Sequence, residues 1–158
     1  MLKARIMAGL GLAASLTMMG SRAHAAEWDP AYHSFKNVYT GLCLSGSDRT
    51  VNQVTCGLPV SGGTRSTDWT LGKTASGTLI KNLPTGLCLD TNGADVYLSG
   101  CTASDTGQLW TVANYGGIVG VWPSQIIGHS LTGWNSGGVS VAKTSDVDMG
   151  TKFRWFYQ

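Results

Sequence analysis

The sequence predicts an all-β domain built from three repeats, and three observations carry that prediction. The segment Phe35–Cys56 is written again 45 residues later as Ile80–Cys101. The chain is rich in glycine, with 22 of 158 residues, and has no stretch with helical periodicity. A tryptophan closes each unit, at Trp69, Trp110 and Trp155. Self-similarity at a fixed period marks one supersecondary unit used repeatedly. Short runs rich in Val, Thr, Leu, Tyr and Trp, separated by turn residues every 8 to 12 positions, mark many short strands.

The repeat aligns Lys36 with Lys81, Asn37 with Asn82, Thr40-Gly41-Leu42-Cys43-Leu44 with Thr85-Gly86-Leu87-Cys88-Leu89, Val51 with Val96 and Cys56 with Cys101. Thr78–Leu83, Val96–Leu98 and Leu109–Val112 read as strands. Thr91–Ala94 reads as a tight turn, because Asn-Gly favours the positive φ angles of a hairpin loop. Asp68–Leu71 and Gln108–Val112 are equivalent tryptophan-bearing tails. From Tyr115 to Gln158 lies about one more period, without cysteine, and it reads as a diverged third repeat. Its strands are expected at Gly117–Trp122, Ser124–Gly128, Val139–Ala142 and Phe153–Tyr157. Three such units close around a pseudo-threefold axis and leave few free sheet edges. The three tryptophans belong in the core.

The ends follow different rules. Lys3 and Arg5, the uncharged apolar run Ile6–Met19 and Ala23-His24-Ala25 have the layout of a secretory signal peptide over residues 1–25, the run being short for a membrane span. Residues 26–34 read as an N-terminal arm, a lead-in strand or a loose segment. The repeats are placed at about 35–72, 78–114 and 115–158 within a domain of 35–158. Without the leader the formal charge moves from +2 to −1. No basic patch then argues for nucleic acid or an anionic membrane surface. A secreted, extracellular location permits disulfides. Four cysteines allow three pairings; Cys43–Cys56 and Cys88–Cys101 is the one that respects the repeat. Closing each loop contributes about 3 kcal/mol on the chain-entropy estimate. Zinc fits poorly, since no C-x-x-C spacing occurs.

Residues 82–112, NLPTGLCLDTNGADVYLSGCTASDTGQLWTV, resemble one repeat of the ricin-B-type lectin family, whose members are β-trefoils. The pattern is an N-x-x-(S/T)-G-x-C-L-D start, a strand, a second cysteine and a Q-x-W ending. Residues 37–71 keep the start and the cysteine pair but carry Ser45 for the aspartate and Thr67 for the glutamine. The last repeat keeps the tryptophan, with Phe153 in the glutamine position.

The resemblance implies a carbohydrate-binding module without catalysis or cofactor. In that family an aspartate after Cys-Leu accepts from two sugar hydroxyls, an aromatic ring stacks on the sugar and an amide completes the set. By position Asp90 is the carboxylate and Gln108 the amide, with Asn92 and Tyr97 beside them. The family's aromatic commonly lies two residues before the second cysteine, which is Ser99 here, and Tyr97 on the same strand face would substitute. Asp90 as a turn residue bonding its own backbone and Gln108 as an internal pin of the loop are the alternative roles. Ser45 removes the carboxylate from the first repeat, so no site is expected there. In the third repeat Trp134 and Asn135 are weaker candidates.

The expected partner is a glycan or glycoconjugate. An alternative is a targeting or accessory subunit of a secreted toxin or enzyme complex. Another is a trefoil-type protease inhibitor, for which Gly57–Ser66 with Arg65 supplies the loop. An enzyme is not expected: Glu27 is the sole glutamate, His33 and His129 are isolated, and no nucleophile motif is present.

Overall fold

The computed structural model describes residues 25–57, 64–145 and 150–158. The expected leader, save Ala25, lies outside the described residues, as do positions 58–63 of the Gly57–Ser66 loop. Strand β1 is Glu27–Trp28. The first repeat contains β2 (Phe35–Asn37), β3 (Cys43–Ser47), β4 (Thr50–Val54) and β5 (Trp69–Thr74). The second contains β6 (Gly77–Asn82), β7 (Cys88–Thr91), β8 (Val96–Ser99) and β9 (Trp110–Asn114). The third contains β10 (Ile118–Pro123), β11 (His129–Gly133), β12 (Val139–Lys143) and β13 (Arg154–Tyr157).

The first and last strands of each repeat form a closed antiparallel barrel. Its pairings run β5–β6, β6–β9, β9–β10, β10–β13 and β13–β2. The bridge His33–Trp69 closes the ring between the start of β2 and β5. Hairpins β3–β4, β7–β8 and β11–β12 complete the three units. This is a β-trefoil, and closure pairs the edges that an open sheet would expose.

The tryptophans set the threefold. Trp69, Trp110 and Trp155 are fully buried, and their indole N–H groups donate to the carbonyls of Leu44, Leu89 and Leu131 at 3.0, 2.9 and 3.1 Å. Each large apolar ring thereby enters the core without leaving an unpaired donor. Those three leucines are equivalent and buried, with Phe35, Ile80 and Val121 packed in the same cluster. Asn37 and Asn82 cap the turns that follow them. Asn37 Oδ1 accepts from the backbone N–H groups of Tyr39 and Thr40, and Asn82 Oδ1 accepts from Thr85. Gly41 and Gly86 then adopt φ of +71° and +69°, which an L side chain resists. The motif asparagine and glycine are therefore turn-forming residues.

Both disulfides follow the repeat, Cys43–Cys56 and Cys88–Cys101, each with Cα atoms 5.0 Å apart. The third repeat differs from expectation. Ser124–Gly128 is a turn, with Gly128 at φ +75° and Ile127 96% exposed, and the strand begins at His129. By the Trp155–Leu131 bond, Ser130 stands where Cys43 and Cys88 stand. Thr144 bonds the Gly128 carbonyl, as Cys56 and Cys101 approach those of Gly41 and Gly86. Ser130 Oγ is buried without a hydrogen-bond partner, a polar atom in a place built for sulfur.

Segment 26–34 is docked. Trp28 pairs with Gly72 across β1–β5, lies over that glycine, and is capped by the Lys81 ammonium 3.9 Å from the ring centroid. Among the described residues no helix is long and apolar enough to cross a membrane.

Candidate functional site in the second repeat

The β7–β8 register places Asp90 directly opposite Tyr97 and Cys88 opposite Ser99. Side chains alternate along a strand, so Leu89 and Leu98 enter the core while Asp90, Tyr97 and Ser99 share the outer face. A short 3-10 turn, Thr106–Gln108, brings Gln108 beneath that face, capped by Asp105.

Four polar groups form one chain. Asp90 Oδ1 accepts from the Thr91 N–H at 2.7 Å, and Oδ2 accepts from the Ser99 hydroxyl at 2.6 Å. The Gln108 amide donates to Ser99 Oγ at 2.6 Å and to the Gly100 carbonyl at 2.8 Å, while its oxygen accepts from Thr102 N–H at 2.9 Å. Asp90 is 3% exposed and Gln108 1%. An amide has two donor hydrogens, so Gln108 as placed has none left for a ligand and acts as a positioning residue. An ionised carboxylate has about four acceptor sites, and these bonds occupy one on each Asp90 oxygen. Gly107 lies so close that a Cβ there would collide with Asp90 Oδ1 and the Thr91 carbonyl.

Tyr97 is partly exposed. Burial, and then the charges of Asp90 and Asp105, push its phenol above the ordinary tyrosine value. Asp95 acts in the same direction, so this face carries negative potential. Asn92 sits at the hairpin tip rather than beside Asp90. Its side-chain oxygen accepts from the N–H groups of Ala94 and Asp95, and its amide donates to Asp95.

Trp134 and Asn135 occupy the β11–β12 hairpin. Trp134 donates to Ser140 at 2.8 Å, and Asn135 donates to the Tyr39 hydroxyl at 3.0 Å. Lys152 lies over the Tyr39 and Trp134 rings, 5.0 and 5.6 Å from their centroids. Tyr39 and Lys152 are additions that sequence reading missed, since they come from the first and third units by tertiary contact alone. In the first repeat Ser45 bonds Ser66. Arg65 is held inward by Asp68 at 2.8 Å and by the Gly57 carbonyl at 2.6 Å. In the sequence Ser99 reads only as the absence of the family's aromatic; its alternation with Tyr97 on β8 is the signal that puts the two on one face.

Several solved structures share this fold. An endo-β-galactosidase from Clostridium perfringens that releases GlcNAcα1-4Gal superposes with a TM-score of 0.66 at 15% identity; the match covers 80% of this chain and 31% of the enzyme, under a third of its length. ThreeFoil, a designed threefold-symmetric protein, gives 0.61 at 21% identity, covering 80% of this chain and 96% of the design. The ricin B-like lectin of Macrolepiota procera, solved in complex with lactose, gives 0.59 at 13% identity, covering 81% and 94%. No curated protein shows a significant sequence match to the chain. Residues 31–150 match the ricin-type beta-trefoil lectin domain, and the chain belongs to that family.

Proposed function

We propose that this protein is a secreted carbohydrate-binding module without catalytic activity, and that its second repeat binds neutral saccharides. The observation that supports the reading is the oriented carboxylate. Asp90 is fixed by Thr91 and Ser99, Ser99 is fixed in turn by Gln108, and Tyr97 stands opposite on the same face. Acceptor capacity on both Asp90 oxygens suits hydroxyl donors, and charge-assisted bonds to them are about twice as strong as neutral ones. The Tyr97 ring offers an apolar surface to a sugar face. Asp95 and Asp105 nearby disfavour anionic sugars by like-charge repulsion.

A glycan array followed by calorimetry on the best neutral saccharide tests this, comparing the wild type with Asp90→Ala and Tyr97→Ala. Loss of one charged hydrogen-bond acceptor is worth about 1.5–3 kcal/mol, so Asp90→Ala should weaken binding at least about tenfold. Absence of binding to every glycan, or equal binding by the wild type and Asp90→Ala, would refute the site.

A further inference from the structure

We infer that the third repeat carries a second saccharide site of opposite electrostatic character, which takes a sugar bearing a carboxylate. This rests on the carbohydrate reading for its ligand class, while its location and charge are independent of the second repeat. Along β10, Val119 and Val121 face the core, so Ile118, Gly120 and Trp122 face outward. Arg154 lies opposite Gly120 on β13. Together with Tyr115 and Phe153 these residues line a cleft of about 480 Å³, within the range of small-ligand sites.

The cleft is built around one ring. A Cβ at position 120 would stand 2.6 Å from two atoms of the six-membered ring of Trp122. Gly120 therefore seats the indole against backbone on one side, and the ring lines the cleft. The Trp122 N–H, the Tyr115 hydroxyl and the Arg154 guanidinium have no hydrogen-bond partner among the described residues, and Tyr115 is 69% exposed. Among the described residues no acidic side chain lines the cleft.

Internal comparison separates this surface from the other two units. The registers of Trp69–Asn82, Trp110–Pro123 and Trp155–Asn37 make Trp122 equivalent to Lys36 and Lys81. The same alignment makes Phe153 equivalent to Thr67 and Gln108, and Arg154 equivalent to Asp68 and Leu109. Trp122, Phe153 and Arg154, three of the positions where the third repeat departs from the pattern, line the cleft. Aromatic rings pack on the C–H face of a pyranose, and a guanidinium fork matches a carboxylate in two parallel bonds. A neutral sugar would use the rings and leave the fork without its counter-charge.

Calorimetry on the full protein decides the matter, with a glucuronate-terminated oligosaccharide, the glucose-terminated counterpart and a sulfated counterpart on the same backbone. Glucuronate is expected to bind the wild type more tightly than either counterpart. Arg154→Gln should weaken it about tenfold or more, on the value of a charged hydrogen bond, and Trp122→Leu should weaken it about threefold to tenfold through loss of the packed ring. Arg154→Lys should recover part of the loss, and Asp90→Ala should leave it unchanged. Arg154 is exposed, so its variants keep the fold and remain informative if Trp122→Leu does not. Equal affinity for glucuronate and its neutral counterpart, tighter binding of the sulfated sugar, or a loss that follows Asp90→Ala would overturn the inference. Neutral-sugar binding that depends on Asp90 while glucuronate fails would refute this site alone; the reverse pattern would refute the second-repeat reading alone.

Discussion

Ser99 donates its hydroxyl to Asp90 across 2.6 Å, from the position two residues before Cys101. The family resemblance leads one to expect an aromatic ring there. A hydroxyl does different work, because it receives the Gln108 amide on one side and orients the carboxylate on the other. In the proposed site the polar relay orients the carboxylate, and Tyr97, opposite Asp90, offers the aromatic surface.

Ser99→Ala should show the relay's worth. It leaves one Gln108 amide hydrogen and Asp90 Oδ2 without their partners in a nearly closed site. An unsatisfied buried group costs about 1–3 kcal/mol, so urea unfolding should lose stability in that range, with weaker neutral-sugar binding. Unchanged values for both would show that the relay carries no energy.

Gly107→Ala tests the close approach of the 3-10 turn. The new methyl would meet Asp90 Oδ1 and a backbone carbonyl, neither of which swings away like a flexible side-chain end. Overpacking of this kind costs about 1–3 kcal/mol. Gly100→Ala is the control, since nothing lies within 4 Å of its Cβ position; it should stay within about 0.5 kcal/mol.

The double change Ser130→Cys with Thr144→Cys should restore a third disulfide. The two positions correspond to the cysteine pairs of the other repeats, and Ser130 Oγ is already unpartnered. Mass spectrometry should find the loss of two hydrogens. The gain in unfolding free energy should approach about 3 kcal/mol, the estimate for closing a loop of this length. Two free thiols after oxidation would contradict the assigned equivalence.

Alkaline pH should expose Tyr157. Burial first, and then the charge of Asp29, raise its phenol from 10.0 to about 12, where it stacks on His33 at 4.1 Å between centroids. A raised folded-state value favours the neutral form. The associated stability is fully present below pH 10 and is lost as pH rises toward 12. The melting temperature of the wild type should fall more steeply across that window than that of Tyr157→Phe. Parallel curves would show that the phenol does not couple to folding.

Much of the architecture was legible because it rests on local pattern. The doubled cysteine pair, the Asn and Gly of each turn and the three tryptophans are each set by short-range geometry or by burial of one large ring. Strand β11 was not legible. Ser130 and Thr132 replace the Cys and Asp that mark the same strand in the second repeat, and one extra residue in the preceding turn shifts the register. The Asp90–Ser99–Gln108 relay depends on which residue lies opposite which, a property of strand pairing rather than of composition. The Trp122 cleft is less legible still, because Arg154, Gly120 and Tyr115 meet only when β10 and β13 are side by side. Arg65 illustrates the converse: a basic residue in a glycine-rich loop reads as a free probe, and Asp68 three residues on holds it down.

Amide chemical-shift mapping of the labelled protein with the best neutral saccharide from the array tests the Asp90 site directly. The largest shifts should fall on Thr91, Tyr97, Ser99 and Gly107, and they should vanish in Asp90→Ala while the remaining spectrum is kept. Shifts centred elsewhere on the trefoil, or undiminished in Asp90→Ala, would contradict it.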